Sequence, residues 1–194
     1  MFRLNISMPA NRFLKLTEYR QYADWLKNQD TETLSLYFGI PVTEYFIDNL
    51  VQSFIDDGNK HQFVVAERNG VWLGTVHIAI VNETDVEFGV IVDQAHRKQG
   101  IANQLMEEAI LWARNRGYIH LFMHCLTWNR PIRNLCEKHG LDIKNFTDGK
   151  EVESRCKLPP ANLSSIGQEY ALRNRNLYRM ILQSQEEMFN NILG

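Results

Sequence analysis

Residues 86–113, VEFGVIVDQAHRKQGIANQLMEEAILWA, constrain this chain more than any other stretch. A β-branched run, Val90-Ile91-Val92, gives way to a basic loop that opens directly into an amphipathic helix. Ile101, Leu105, Ala109 and Ala113 recur at four-residue steps, Ile110 and Trp112 widen the stripe, and Gly117 is placed to cap the C-terminus. The first turn of such a helix carries unpaired N–H groups and the positive end of the dipole, so an anion settles there. Gly100 permits close backbone approach, and Arg97 and Lys98 add positive charge. The loop reads as a pyrophosphate cradle. It is neither GxxxxGK[ST] nor GxGxxG with a downstream acid, which excludes those phosphate loops.

The rest of the pattern surrounds this unit with strands and helices. Residues 12–17 are expected as a first strand, followed by helices around 18–28 and 43–57. Residues 61–68 and 71–82 form a predicted hairpin around Arg68-Asn69-Gly70, and 85–92 the next strand. Tyr118 to Met123 reads as a further strand, and Leu141 to Lys157 as a second hairpin with Asp148-Gly149 at its turn. This order describes an α+β fold, a mixed, mostly antiparallel sheet flanked by helices. Pro159-Pro160 divides residues 1–158 from a helical extension, 159–194. There Ser165-x-x-Gln168 has capping-box spacing, and Ile166, Leu177 and Met188, like Tyr170, Ile181 and Ile192, recur every eleven residues. A single amphipathic helix of about 25 residues follows, packed on its own domain or used for dimerisation.

Residues 97–102 resemble the R/Q-x-x-G-x-G/A acyl-CoA loop of the GCN5-related N-acetyltransferase (GNAT) superfamily. Downstream, Asn129, Leu135, Lys138, Gly140 and Leu141 fit that family's N-x-x-A-x-x-L-Y-x-K-x-G-F block. In order of elements the resemblance spans roughly residues 10–158, and its specific motifs lie in 86–141. The chain departs from the pattern at Gln94 for proline, Lys98 for glycine and Ile132 for alanine. Cys136 stands where the family often has a tyrosine that protonates the departing CoA thiolate.

The resemblance implies transfer of an acetyl group from acetyl-CoA to a primary amine by direct attack in a ternary complex. It also implies the cofactor-binding residues. Val90, Ile91 and Val92 would pair with the pantetheine arm, while Arg97, Lys98, Gln99, Gly100, Ile101, Ala102 and Asn103 would face the pyrophosphate. Asn129 would hold the CoA arm or the helix entrance. An alkylamine near pKa 10.4 is neutral at pH 7 only about once in 2,500 molecules, a penalty of roughly 4.6 kcal/mol. A general base is the usual remedy. Glu87, on the strand leading into the loop, is the candidate, with Asp85 the weaker one; the other reading of Glu87 is a solvent-facing strand carboxylate or a salt-bridge partner. Cys136 could serve as the acid or simply fill a buried helix position. With the tyrosine absent, the alternative is a non-catalytic acyl-CoA-binding sensor or adaptor.

Composition narrows the partners. A net charge of −2 does not indicate a nucleic-acid partner. No apolar run reaches membrane length, and the extension balances Arg173, Arg175 and Arg179 against Glu169, Glu186 and Glu187. Three cysteines, at 125, 136 and 156, without CxxC spacing, fit free thiols in a reducing cytoplasm. His120 and His124 lie four apart on a strand, about 13 Å, so no metal is expected. Residues 18–58 hold eight acids and two bases, and an acidic lip there would favour a cationic amine such as lysine, a polyamine or a peptide N-terminus. The other reading is a pair of solvated helix faces.

Overall fold

In the computed structural model, residues 9–145 and 150–193 are described. A seven-stranded sheet runs in the order β1-β2-β3-β4-β5-β7-β6. Its strands are β1 (Ala10–Phe13), β2 (His61–Arg68), β3 (Val71–Ile80), β4 (Asp85–Val92), β5 (His120–Leu126), β6 (Asp142–Asn145) and β7 (Glu151–Lys157). All neighbours are antiparallel except β4 and β5, the parallel pair. That pairing holds only from Asp85↔His120 to Glu87↔Phe122. Past it, β4 continues on β3 as far as Val92, while β5 continues on β7. The sheet is therefore parted below Glu87.

Strand alternation distributes side chains to two cores. Val86 and Phe88 join Val76, Ile78, Leu121 and Met123 beneath α4 (Ile101–Asn115), whose Leu105, Met106 and Ala109 are fully buried. On the other face Phe63, Val65, Trp72 and Ile91 pack against α1 (Tyr19–Lys27) and α3 (Glu44–Asp56). The first strand falls earlier than its sequence pattern, because residues 16–18 turn into a 3-10 segment. One helix escapes the periodicity: α2 (Thr31–Phe38), eight residues long. Its caps are nonetheless written in the chain. The Asp30 carboxylate accepts from the Thr33 amide at 2.9 Å, and Gly39 ends the helix at φ +74°.

The helix α5 (Arg130–Lys138) is capped by Asn129, and α6 (Leu163–Leu193) is longer than expected, at 31 residues. Its start is a reciprocal box between Asn162 and Ser165 (2.8 and 3.0 Å), so Ser165 lies inside the first turn rather than at its cap. This helix packs on α4 and β1 through polar groups. Asn176 donates to Glu108 at 2.8 Å, Asn115 donates to Glu169 at 2.7 Å, and Ser165 donates to Asn115 at 2.6 Å. The eleven-residue stripe faces away: Ile166, Tyr170, Leu177, Ile181 and Met188 are exposed. The Asp148-Gly149 turn lies outside the described residues.

Candidate active site

The parted strands open a cavity of about 850 Å³ that runs from the α4 entrance, past β4, to the face covered by α1, α2 and α3. At the loop end, Gly100 adopts φ +80° and Lys98 φ +60°, left-handed conformations that turn the chain sharply before Ile101. Among the described residues no side chain caps α4, and its first backbone bond runs from the Gln104 amide to the Gly100 carbonyl. The amides of residues 101–103 therefore stand at the positive end of the helix dipole. Val90, Ile91, Val92, Arg97, Lys98, Gly100, Ile101, Ala102, Asn103 and Asn129 all line the cavity, and His96 joins them.

Several side chains are committed elsewhere. Gln99 is not among the lining residues and accepts from Arg68 at 3.4 Å. Arg97 donates to the Thr33 hydroxyl, which fastens the loop to α2. Asn103 donates to Glu107 at 2.8 Å and shares a hydrogen bond with His139. Asn129 caps α5 through the Ile132 amide at 3.4 Å and donates to the Leu36 carbonyl at 3.2 Å, so its side chain serves the helix entrance.

At the inner end, Glu87 points to the α1–α3 face, opposite its buried neighbours Val86 and Phe88. Its carboxylate meets His124 Nδ1 at 3.0 Å across the last paired rungs of β4 and β5. His124 Nε2 in turn lies 3.5 Å from Glu153 on β7, and the Arg155 Nε donates to Glu153 at 2.9 Å. Asp85 is tied to His120 at 2.7 Å and is held below its ordinary range, first by the Asn82 hydrogen bond. Each β5 histidine thus meets a carboxylate of β4.

Behind Glu87, the Tyr37 hydroxyl lies against Gly89, where a Cβ would come within 3.0 Å of it. Burial pushes the Tyr37 phenol up to about 12. Burial likewise drives His77 down to about 3, so it is neutral at physiological pH. Cys136 is not brought to this place. It is fully buried on the α4 side, its thiol 3.2 Å from the Met123 sulfur, outside the lining and pushed up by burial to about 12. A thiol that tight and that shielded does not suit the acid role expected of it.

The acids of residues 18–58 do not form a lip. Glu18 pairs with Arg12, Asp24 and Asp48 with Lys27, Asp30 caps α2, and none of the eight lines the cavity.

The parallel pair β4 and β5 parts beside the uncapped entrance of α4, and residues 19–141 match the Acetyltransferase (GNAT) family. The chain belongs to the GNAT family. It is an acyltransferase by that membership. Solved GNAT structures share its fold at low identity. The GNAT domain of S. lividans PAT superposes with a TM-score of 0.66 at 18% identity, covering 76% of this chain and 89% of that one. Spermidine N-acetyltransferase from Vibrio cholerae, in complex with CoA and spermine, gives 0.63 at 19%, covering 78% and 96%. Ribosomal-protein-alanine N-acetyltransferase from Brucella melitensis gives 0.55 at 19%, covering 76% and 99%. No curated protein sequence matches the chain. Sequence reasoning missed α2, and with it Tyr37 and Thr33; the Asp30 cap and Gly39 were the signals that pointed to it. It also did not set His124 beside Glu87, which only the meeting of β4 and β5 does.

Proposed function

We propose that this GNAT protein transfers an acetyl group from acetyl-CoA to a primary amine, with both substrates bound together. The observation that carries the reading is one continuous cavity that joins the α4 entrance to Glu87 through the gap between β4 and β5. The residues suit the cosubstrate: uncapped amides of the first α4 turn and Lys98 for the diphosphate, and the β4 edge from Val90 to Val92 for the pantetheine arm. Acetyl-CoA supplies the activated acyl group. Glu87 takes the proton from the attacking nitrogen as the C–N bond forms, the thioester C–S bond breaks and coenzyme A leaves as its thiolate, to be protonated by solvent; His124 holds one carboxylate oxygen so that the other faces the amine. Thiol release from acetyl-CoA with a panel of amines, followed by mass spectrometry of the product, tests this. Coenzyme binding without any acetylated amine would favour the sensor alternative. Free Cys125, Cys136 and Cys156 suit work in a reducing cytoplasm.

The reading includes a homodimer built on the outward stripe of α6. That stripe of Ile166, Tyr170, Leu177, Ile181 and Met188 is exposed because the polar face is already spent on α4 and β1. Leu177→Glu in the full chain should halve the mass seen by light scattering; an unchanged mass would remove the stripe from assembly.

A further inference from the structure

We propose that the acceptor is an amine whose single primary amino group sits on an apolar body of about the size of an aromatic ring, rather than a polyamine. The inference rests on the acetyl-transfer reading and narrows it. Six residues form the wall beyond Glu87: Tyr22, Tyr37, Leu50, Phe54, His77 and Ala79. Their bulk is ring and aliphatic carbon. The imidazole of His77 is tied back through Nε2 to His61 Nδ1 at 2.9 Å.

Charge points the same way. Among the described residues lining the cavity, Glu87 is the only carboxylate, while Arg97, Lys98 and Lys138 are at the loop end. None of the acids of α1, α2 and α3 lines the cavity: Asp24 and Asp48 pair with Lys27, and Asp30, before α2, caps that helix. One ammonium group can therefore meet a carboxylate at the gap, and a second, farther along the same molecule, would be desolvated against carbon. At Phe54 a cation–π contact would compete with the ring's packing against Phe63, His61 and His77, at centroid distances of 5.6, 4.5 and 4.7 Å. The same wall welcomes an apolar body, because burying carbon there removes it from water without stranding a polar group.

The test compares phenethylamine, butylamine, putrescine and spermidine as acceptors for the full chain with acetyl-CoA. The expected order of kcat/KM is phenethylamine first, with putrescine and spermidine lower by about tenfold or more. Putrescine or spermidine equal to phenethylamine, or better, overturns the inference and leaves acetyl transfer standing. No product from any amine, with CoA binding shown by calorimetry, overturns the inference together with the reading beneath it. Leu50→Asp sharpens the result by placing a carboxylate in the wall. It should shift the putrescine-to-phenethylamine ratio by about tenfold toward putrescine, and an unmoved ratio in a variant folded by circular dichroism counts against the wall. If that variant does not fold, the wild-type order decides.

Discussion

The two ends of the cavity are built from different material. At the loop end the turn from Arg97 to Asn103 offers main-chain amides and left-handed backbone at Lys98 and Gly100, with its side chains largely tied to neighbours. At the inner end the working surface is side chain: Glu87 and His124 from two strands, set against rings from α1, α2 and α3. A main-chain site depends on local conformation and tolerates changed side chains. A side-chain site depends on strand register, and one altered residue changes its chemistry.

The sharpest way to break this contrast is Glu87→Gln. If chemistry belongs to the inner end alone, kcat should fall about 10²- to 10⁴-fold, most severely at low pH, while CoA affinity stays near normal. Unchanged pH–rate behaviour would remove Glu87 from the reaction. Gly100→Val probes the other end. A β-branched residue at φ +80° costs about 1–3 kcal/mol in strain, although its Cβ would meet nothing within 4 Å. CoA binding should weaken by about tenfold or more, measured by calorimetry, with the ranking of amines preserved. An undiminished affinity would mean that the turn is not the diphosphate site.

His124→Ala leaves Glu87 without its imidazole partner. Turnover should drop roughly tenfold with CoA affinity intact, and His124→Asn, which keeps a donor, should recover part of it. Equal loss in both variants would point to strand packing instead. The mildest effect concerns stability. His77 keeps its proton off down to about 3 in the fold, against an ordinary value of 6.5, so folding stability is full above 6.5 and declines as pH falls below it. From pH 7.5 to 5.5 the wild type should lose about 1.4 kcal/mol more than His77→Phe, read from urea midpoints. Parallel losses would show that His77 is open to water.

Much of the loop end is legible from residues in sequence. Arg97, Lys98, Gly100 and the four-residue steps of α4 specify a turn and a helix start within one short stretch, where local rules operate. Gln99 is the exception, drawn to Arg68 by a contact 31 residues away. The inner end was less legible. Glu87 could be named from its strand, but α2 was too short for its period to register, and the acids of 18–58 looked like a lip until their partners were seen. The α6 pattern foretold a helix and its stripe correctly, yet not that the polar face would be the buried one.

Sequence alone determined the helix entrance, the strand that leads to it and the family those residues evoke, because backbone propensity and cap chemistry act over a few residues. Only the tertiary structure decided that β4 and β5 part after Glu87, that His124 meets it there, and that Cys136 is sealed beneath α4. These depend on pairings between segments tens of residues apart, whose register and facing are set by how two cores share one sheet.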